Sequence, residues 1–185
     1  MCPERIQLRN ALRAAASAFK ANDQSFALAG SYALWVHGAP EPDHDVDFVV
    51  AEQDTELAAN ILGQNGFDVE RPPEDWLFKA HIDGAVVDIL HRINGVPVES
   101  GLLAGAVVRD VLAISMPVLT PDAVITQKLL TLNEHHCDFA PLLPAVRAVR
   151  EQLDWPRIRA LAAGNDFAMA FLELAARLRL DQQGG

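Results

Sequence analysis

The chain has 185 residues, half of them hydrophobic and 22% charged, which is an ordinary globular composition and argues against disorder. Its formal net charge of −10 argues against a nucleic-acid coat or an anionic-membrane binder, since such proteins are usually basic. No apolar run approaches the roughly 18 to 20 residues of a membrane helix, and the start lacks the apolar core of a signal peptide. We therefore expect a cytoplasmic protein with no membrane association.

The first part of the chain alternates helical and extended patterns. Helices are predicted where apolar residues recur at helical spacing, and strands where β-branched and aromatic residues dominate. The predicted helices are 4–20, 31–37 and 55–62. The predicted strands are 26–29, 46–50, a piece starting at 67, 76–82, 85–90, 96–98 and 116–119. An Asp83-Gly84 pair predicts a hairpin between two of these strands.

The pattern changes after Thr120. Thr120-Pro121-Asp122 is typical of a helix start, with proline in the first turn. From there to Leu180 the chain is rich in Ala, Leu and Arg and predicts three or four helices. We therefore predict an α/β fold of the α+β kind: a small mixed sheet flanked by helices in a domain of residues 1–120, and a C-terminal helical region, 121–185, packed on it.

Paired aspartates carry the strongest chemical signal. Asp45 and Asp47 flank Val46, and residues two apart on a strand face the same side about 6.5 Å apart. Like charges this close repel unless a cation lies between them, and oxygen ligands favour magnesium or calcium. Asp88, in an otherwise apolar strand, is a candidate third carboxylate. Three such groups on adjacent strands can hold two metal ions.

Gly30 and Ser31 lie between a predicted strand and a predicted helix. A glycine there lets the backbone approach a ligand closely, and the first N–H groups of a helix bind phosphate oxygens. The sequence therefore predicts a phosphate-binding turn next to the metal-binding strand.

These motifs resemble the nucleotidyltransferase superfamily of DNA polymerase β. The resemblance lies in Gly-Ser, a short helix, Asp-x-Asp on a strand and a later lone Asp, and it covers roughly residues 25 to 150. The stretch 119–147 also resembles the bacterial toxin nucleotidyltransferases of the AbiE/MenT type, which are small stand-alone members.

The resemblance implies the role of each candidate residue. Asp45 and Asp47 would ligate the metals, two Mg²⁺ ions with Mn²⁺ as the alternative, and Asp88 would help bind the second metal and ready the attacking hydroxyl. The residues that would bind the nucleotide are Gly30, Ser31, Lys128 and Asp138.

The implied reaction moves an NMP from an NTP such as ATP to an acceptor hydroxyl. For the toxin type the acceptor is the 3′ end of tRNA, and a cognate antitoxin would be a partner. This chain departs from that pattern: a loop containing Glu41 replaces the basic residue common before Asp-x-Asp, and Cys137 replaces the Arg or Lys before Asp138.

Two alternatives stay open. The pattern around Asp45 and Asp47 also resembles the lincosamide and aminoglycoside nucleotidyltransferases, whose acceptor is a small molecule. The chain could instead be a metal-binding pseudoenzyme that serves as a protein-binding module.

Overall fold

The computed structural model describes residues 3–181, which form eight α-helices, nine strands and two short 3-10 turns. None of the helices in this span is long and apolar enough to cross a membrane. The helices are α1 (Pro3–Ala21), α2 (Gly30–Val36), α3 (Thr55–Gln64), α4 (Ser100–Ala104), α5 (Pro121–Leu130), α6 (Leu142–Val149), α7 (Trp155–Ala162) and α8 (Asp166–Arg177). The strands are β1 (Ala27–Leu28), β2 (Val46–Val49), β3 (Asp68–Glu70), β4 (Leu77–Ile82), β5 (Ala85–Leu90), β6 (Arg92–Ile93), β7 (Val96–Pro97), β8 (Val107–Val111) and β9 (Ile114–Val118).

Seven strands form one mixed sheet in the order β3-β4-β5-β2-β1-β9-β8. The pairs β2–β5 and β1–β9 are parallel, and the remaining neighbours are antiparallel. Strands β6 and β7 form a separate hairpin. The predicted mixed α/β architecture is therefore confirmed, and its central strands are the two that carry Asp47 and Asp88.

One face of the sheet packs on α1 through aromatic side chains. Phe19 of α1 contacts Phe48 of β2 edge to face at 5.9 Å between ring centroids, and both rings contact Phe26. Leu12 and Phe19 are fully buried on this face, whereas Ile6 of the same helix is 45% exposed. The helical period explains the difference, because Ile6 lies two residues from the buried Leu8 and so points to the far side of α1.

The C-terminal region contains the four helices at the predicted breaks. Thr120 caps α5 by accepting a hydrogen bond from the Ala123 N–H. Asn165 caps α8, and its amide also donates to the carbonyls of Leu130 and Leu132, which fixes α8 to the end of α5. Helix α5 in turn packs on α2 and brings this region beside the sheet. The division of the chain at residue 120 stays a prediction.

Turn chemistry explains which hairpins were predicted. Asp83 and Gly84 both have positive φ, as the Asp-Gly pair predicts. The β8–β9 hairpin was not predicted, because its turn places Leu112 and Ala113 at φ of 50° and 67° without the glycine or asparagine that usually marks such a turn. Helix α3 also runs to Gln64 and so past Gly63, which the sequence predicted to end it.

Candidate active site

Three aspartates converge on one face of the sheet. Asp47 of β2 and Asp88 of β5 are register partners in a parallel pair, and Asp45 lies one residue before β2. One carboxylate oxygen from each of the three lies within 4.8 Å of the other two. The structure thus brings together the three residues that the sequence proposed as metal ligands.

The alternation along β2 explains this placement. Val46 and Phe48 are fully buried, and Phe48 packs against α1. Since neighbouring side chains on a strand point to opposite faces, Asp45 and Asp47 lie on the face away from α1. Both are half-buried, and Asp88 is buried.

Burial and mutual repulsion make the charged forms of these groups costly. Burial, together with the negative charge of the neighbouring Asp45, raises the pKa of Asp47 to about 7, although the positive charge of Lys128 acts in the opposite direction. Burial also raises the pKa of Asp88, which the hydrogen bond from Lys79 partly offsets. The Lys79 Nζ lies 3.0 Å and 3.2 Å from the two oxygens of Asp88. A bound cation would relieve this repulsion.

Gly30 touches the Asp47 carboxylate. Its φ is +56°, and a Cβ built there would lie 1.8 Å from Oδ2 of Asp47 and 2.6 Å from Cγ. The backbone N–H of Ala29 also donates to the Asp47 carbonyl at 2.8 Å. The sequence predicted Gly30 as part of a phosphate-binding turn. The structure shows in addition that only a glycine at this position leaves room for the Asp47 side chain. Ser31 follows it in the first turn of α2 and is half-buried.

A cleft of about 610 Å³ opens beside these residues. Of the sequence candidates, Gly30, Asp47 and Lys128 line it. The remaining lining comes from the loop before β4, the end of β5, the β6–β7 hairpin and α5, and consists of Asp75, Trp76, Leu90, Arg92, Ile93, Asn94, Gly95, Val124, Gln127 and Thr131, together with Ala29. A cleft of this size accommodates a nucleotide-sized ligand.

Asp138 lies apart from this cleft lining. Its exposed carboxylate accepts a hydrogen bond from the Ala140 N–H at 2.9 Å, just before α6. That contact is a local turn, which competes with a ligand for the same oxygen. The predicted role of Asp138 in nucleotide binding stays a prediction.

Other cleft residues were missed from sequence. Trp76 exposes 43% of its surface at the cleft, and Arg92 is paired with Glu52. The Asn94-Gly95 pair, with φ of 52° and 78°, forms the hairpin turn that faces α5, where the Asn94 amide donates to the Gln127 carbonyl at 3.4 Å. An Asn-Gly pair between β-branched residues is a hairpin signal, so this turn was detectable. No local signal placed Trp76, in the loop before β4, or Arg92, in β6, at the cleft.

Comparison with solved structures identifies the architecture. The chain resembles the solution structure of the antibiotic-resistance factor ANT(2'')-Ia at 12% identity, with a TM-score of 0.61 over 95% of this chain and 99% of that one. The chain has a nucleotidyltransferase fold. The crystal structure of ANT(2'')-Ia in complex with adenylyl-2''-tobramycin matches at 16% identity and TM-score 0.53, covering 92% and 97% of the two chains.

An antigenic nucleotidyltransferase-like protein from Paracoccidioides brasiliensis shares the fold at 11% identity, with a TM-score of 0.52 over 90% and 92% of the two chains. The sequence matches no protein-family model and no curated protein. Likeness at these identities establishes the nucleotidyltransferase fold. The activity has to be inferred from the residues of the site.

The three aspartates fit a divalent cation. Their donors are all carboxylate oxygens, which are the ligands preferred by Mg²⁺ and Mn²⁺. The pKa of Asp47 and of Asp88 is raised, first by burial and then by neighbouring carboxylates, and a bound cation would favour the charged forms of both groups.

The contact between Gly30 and Asp47 predicts a selective effect of Gly30→Ala. The added methyl must displace the Asp47 side chain, so we expect a loss of about 2–4 kcal/mol in the free energy of unfolding, measured by urea denaturation. Gly66→Ala is the matched control, because Gly66 has φ +89° but no atom within 4 Å of a built Cβ. It should cost only about 1 kcal/mol. Equal losses in both variants would contradict a specific contact at Gly30.

The raised pKa of Asp47 predicts a pH dependence of stability in metal-free buffer. The folded protein keeps the Asp47 proton up to about pH 7, whereas the unfolded chain releases it near pH 4. The stability that the folded protein gains by keeping the Asp47 proton is therefore fully present below about pH 4 and is lost as the pH rises through 7. Asp47→Asn should be more stable than wild type by roughly 1–3 kcal/mol at pH 8, with the difference vanishing near pH 4.5. A difference that does not change with pH would refute the assignment.

Proposed function

We propose that this protein is a metal-dependent nucleotidyltransferase, which moves an NMP from an NTP to an acceptor hydroxyl. The observation that carries the proposal is the convergence of Asp45, Asp47 and Asp88 beside Gly30, where Asp47 and Gly30 line a nucleotide-sized cleft. The nucleotidyltransferase fold supports it. A metal-binding pseudoenzyme would need the three carboxylates but not an open cleft of nucleotide size beside them.

Each candidate residue has a role that its position supports. Asp45 and Asp47 would hold the metals, and divalent cations, when bound, would neutralise the triphosphate and polarise its α-phosphorus. Lys128 faces the cleft from α5 and makes no ion pair within the described part of the chain, so its charge is available for the triphosphate. Gly30 and Ser31 would contact the β- and γ-phosphates.

Asp88 is the proposed proton acceptor. Its carboxylate lies beside those of Asp45 and Asp47, and burial raises its pKa, which makes it a stronger base than an exposed carboxylate. The acceptor oxygen would form a bond to the α-phosphorus and pass its proton to Asp88, while the bond from the α-phosphorus to the bridging oxygen breaks and pyrophosphate leaves.

The charge of the cleft favours a small cationic acceptor over tRNA. Asp75 lines the cleft, and Arg92, which also lines it, is already paired with Glu52. Divalent cations and the triphosphate would largely neutralise each other, with Lys128 beside the triphosphate, which leaves the Asp75 carboxylate for the acceptor. The exposed arginines of the C-terminal region that could contact RNA lie outside the cleft lining; they are Arg147, Arg157 and Arg159.

A tRNA acceptor of the toxin type, with an antitoxin partner, is the second candidate. Its support is the sequence resemblance of residues 119–147, which include Lys128. Asp75 in the cleft lining and the overall charge of −10 count against it.

Loss of either paired aspartate should abolish transfer. We expect Asp45→Asn and Asp47→Asn to lose at least about 10³-fold in kcat, because each removes a ligand where charge must be stabilised in the transition state. The assay follows label from α-³²P-NTPs into aminoglycosides, lincosamides and total tRNA. The control is Asp43→Asn, an exposed carboxylate two residues before Asp45, which should keep full activity. Undiminished transfer by either site variant would overturn the proposal.

The acceptor preference is separately testable. We expect label on aminoglycosides, with a KM that rises with ionic strength, and none on tRNA. Asp75→Asn should raise the aminoglycoside KM about threefold to tenfold at unchanged kcat, whereas Asp68→Asn, exposed on β3, should have no effect. Label at the tRNA 3′ end instead would establish the toxin-type acceptor.

A further inference from the structure

Four charged residues form a row across the sheet. Glu70 of β3 is the register partner of Lys79 of β4, Lys79 is the partner of Asp88 of β5, and Asp88 is the partner of Asp47 of β2. Register partners project from the same face with Cβ atoms roughly 4.5–5.5 Å apart. Lys79 therefore stands between two carboxylates, one on each side.

Lys79 pairs with the more buried of these two carboxylates. Among the described residues its ammonium pairs with Asp88, at 3.0 Å and 3.2 Å from the two oxygens, and not with Glu70. The Asp88 side chain is only 9% exposed, whereas Glu70 is 57% exposed and contacts His81 at 2.9 Å. The choice has a physical reason, because a desolvated carboxylate gains more from a cation than a hydrated one does.

This pairing conflicts with the proposed role of Asp88. Both of its oxygens face a resident ammonium, and a divalent cation shared with Asp45 and Asp47 requires at least one of them. An ammonium and a metal ion at the same oxygen would repel each other. Lys79 is one-third exposed, so its flexible stem has room to move.

We infer that Lys79 and a divalent cation compete for Asp88, and that Glu70 receives the Lys79 ammonium when the cation binds. The inference rests on the proposed metal-binding role of the three aspartates. In the absence of metal, Lys79 acts as an internal counter-ion that holds the three carboxylates together. Metal binding then exchanges one cation for another, which raises the metal concentration that the site requires.

The test is a Mn²⁺ titration of the full chain, with free Mn²⁺ measured by electron paramagnetic resonance and no nucleotide present. Lys79→Gln removes the competing charge and keeps a hydrogen-bond donor, so the free Mn²⁺ concentration at half-saturation should fall about tenfold. Glu70→Gln removes the alternative partner of Lys79 and should raise that concentration about threefold. Lys20→Gln, the same substitution on an exposed lysine at the end of α1, should match wild type.

A second readout follows Lys79 itself. In ¹⁵N-lysine NMR spectra, Mg²⁺ should shift the Lys79 side-chain signal of wild type, and the Glu70→Gln variant should show a different endpoint. This measurement keeps the inference falsifiable if Lys79→Gln folds poorly, because both proteins in it retain the Lys79–Asp88 pair.

The possible outcomes distinguish failure of the competition at Asp88 from failure of the proposed metal site. If Lys79→Gln binds Mn²⁺ as wild type does, or Mg²⁺ leaves the Lys79 signal unmoved while the site fills, competition at Asp88 is wrong and the metal site stands. If wild type binds no Mn²⁺, or Asp47→Asn binds it equally well, the proposed metal site fails and the inference fails with it.

Discussion

Repulsion among three carboxylates is the constraint on which the site depends. The parallel pairing of β2 and β5 places Asp47 directly beside Asp88, and Asp45 lies at the entrance to β2. A folded sheet cannot separate these side chains without breaking its register, so their repulsion is built into the fold. The raised pKa of Asp47 and of Asp88 reflects first the burial of these groups and then this repulsion. Positive charge must offset it, from Lys79 in the protein itself or from a bound cation.

The same constraint shapes the surroundings. Gly30 has no side chain because the Asp47 carboxylate fills that space. Helix α5, held against α2 and capped at Thr120, places Lys128 in the lining of the cleft. Trp76 and Ile93 line it as well and provide apolar surface of the kind that packs on a flat ring. The cleft thus combines charged groups with apolar surface, the usual composition of a ligand site.

The parts of the fold that depend on local sequence patterns could be predicted from the sequence. The paired aspartates were recognisable because the two-residue period of a strand puts Asp45 and Asp47 on one face, and Gly30 was recognisable at a strand-to-helix turn. Lys79 was not recognisable as a residue of the site, because its partner Asp88 is set by the register of a neighbouring strand. The β8–β9 hairpin was missed because Leu112 and Ala113 carry no turn signal, and Asp138 was placed by resemblance alone.

Crystals grown with Mn²⁺ would show whether Asp45, Asp47 and Asp88 form one cation site. We expect an anomalous difference peak within about 2.0–2.3 Å of carboxylate oxygens from both Asp45 and Asp47. Crystals of Asp47→Asn grown in the same solution should lack that peak. If saturating Mn²⁺ gives no peak between these side chains, or if the peak survives the substitution, the three aspartates do not form one cation site.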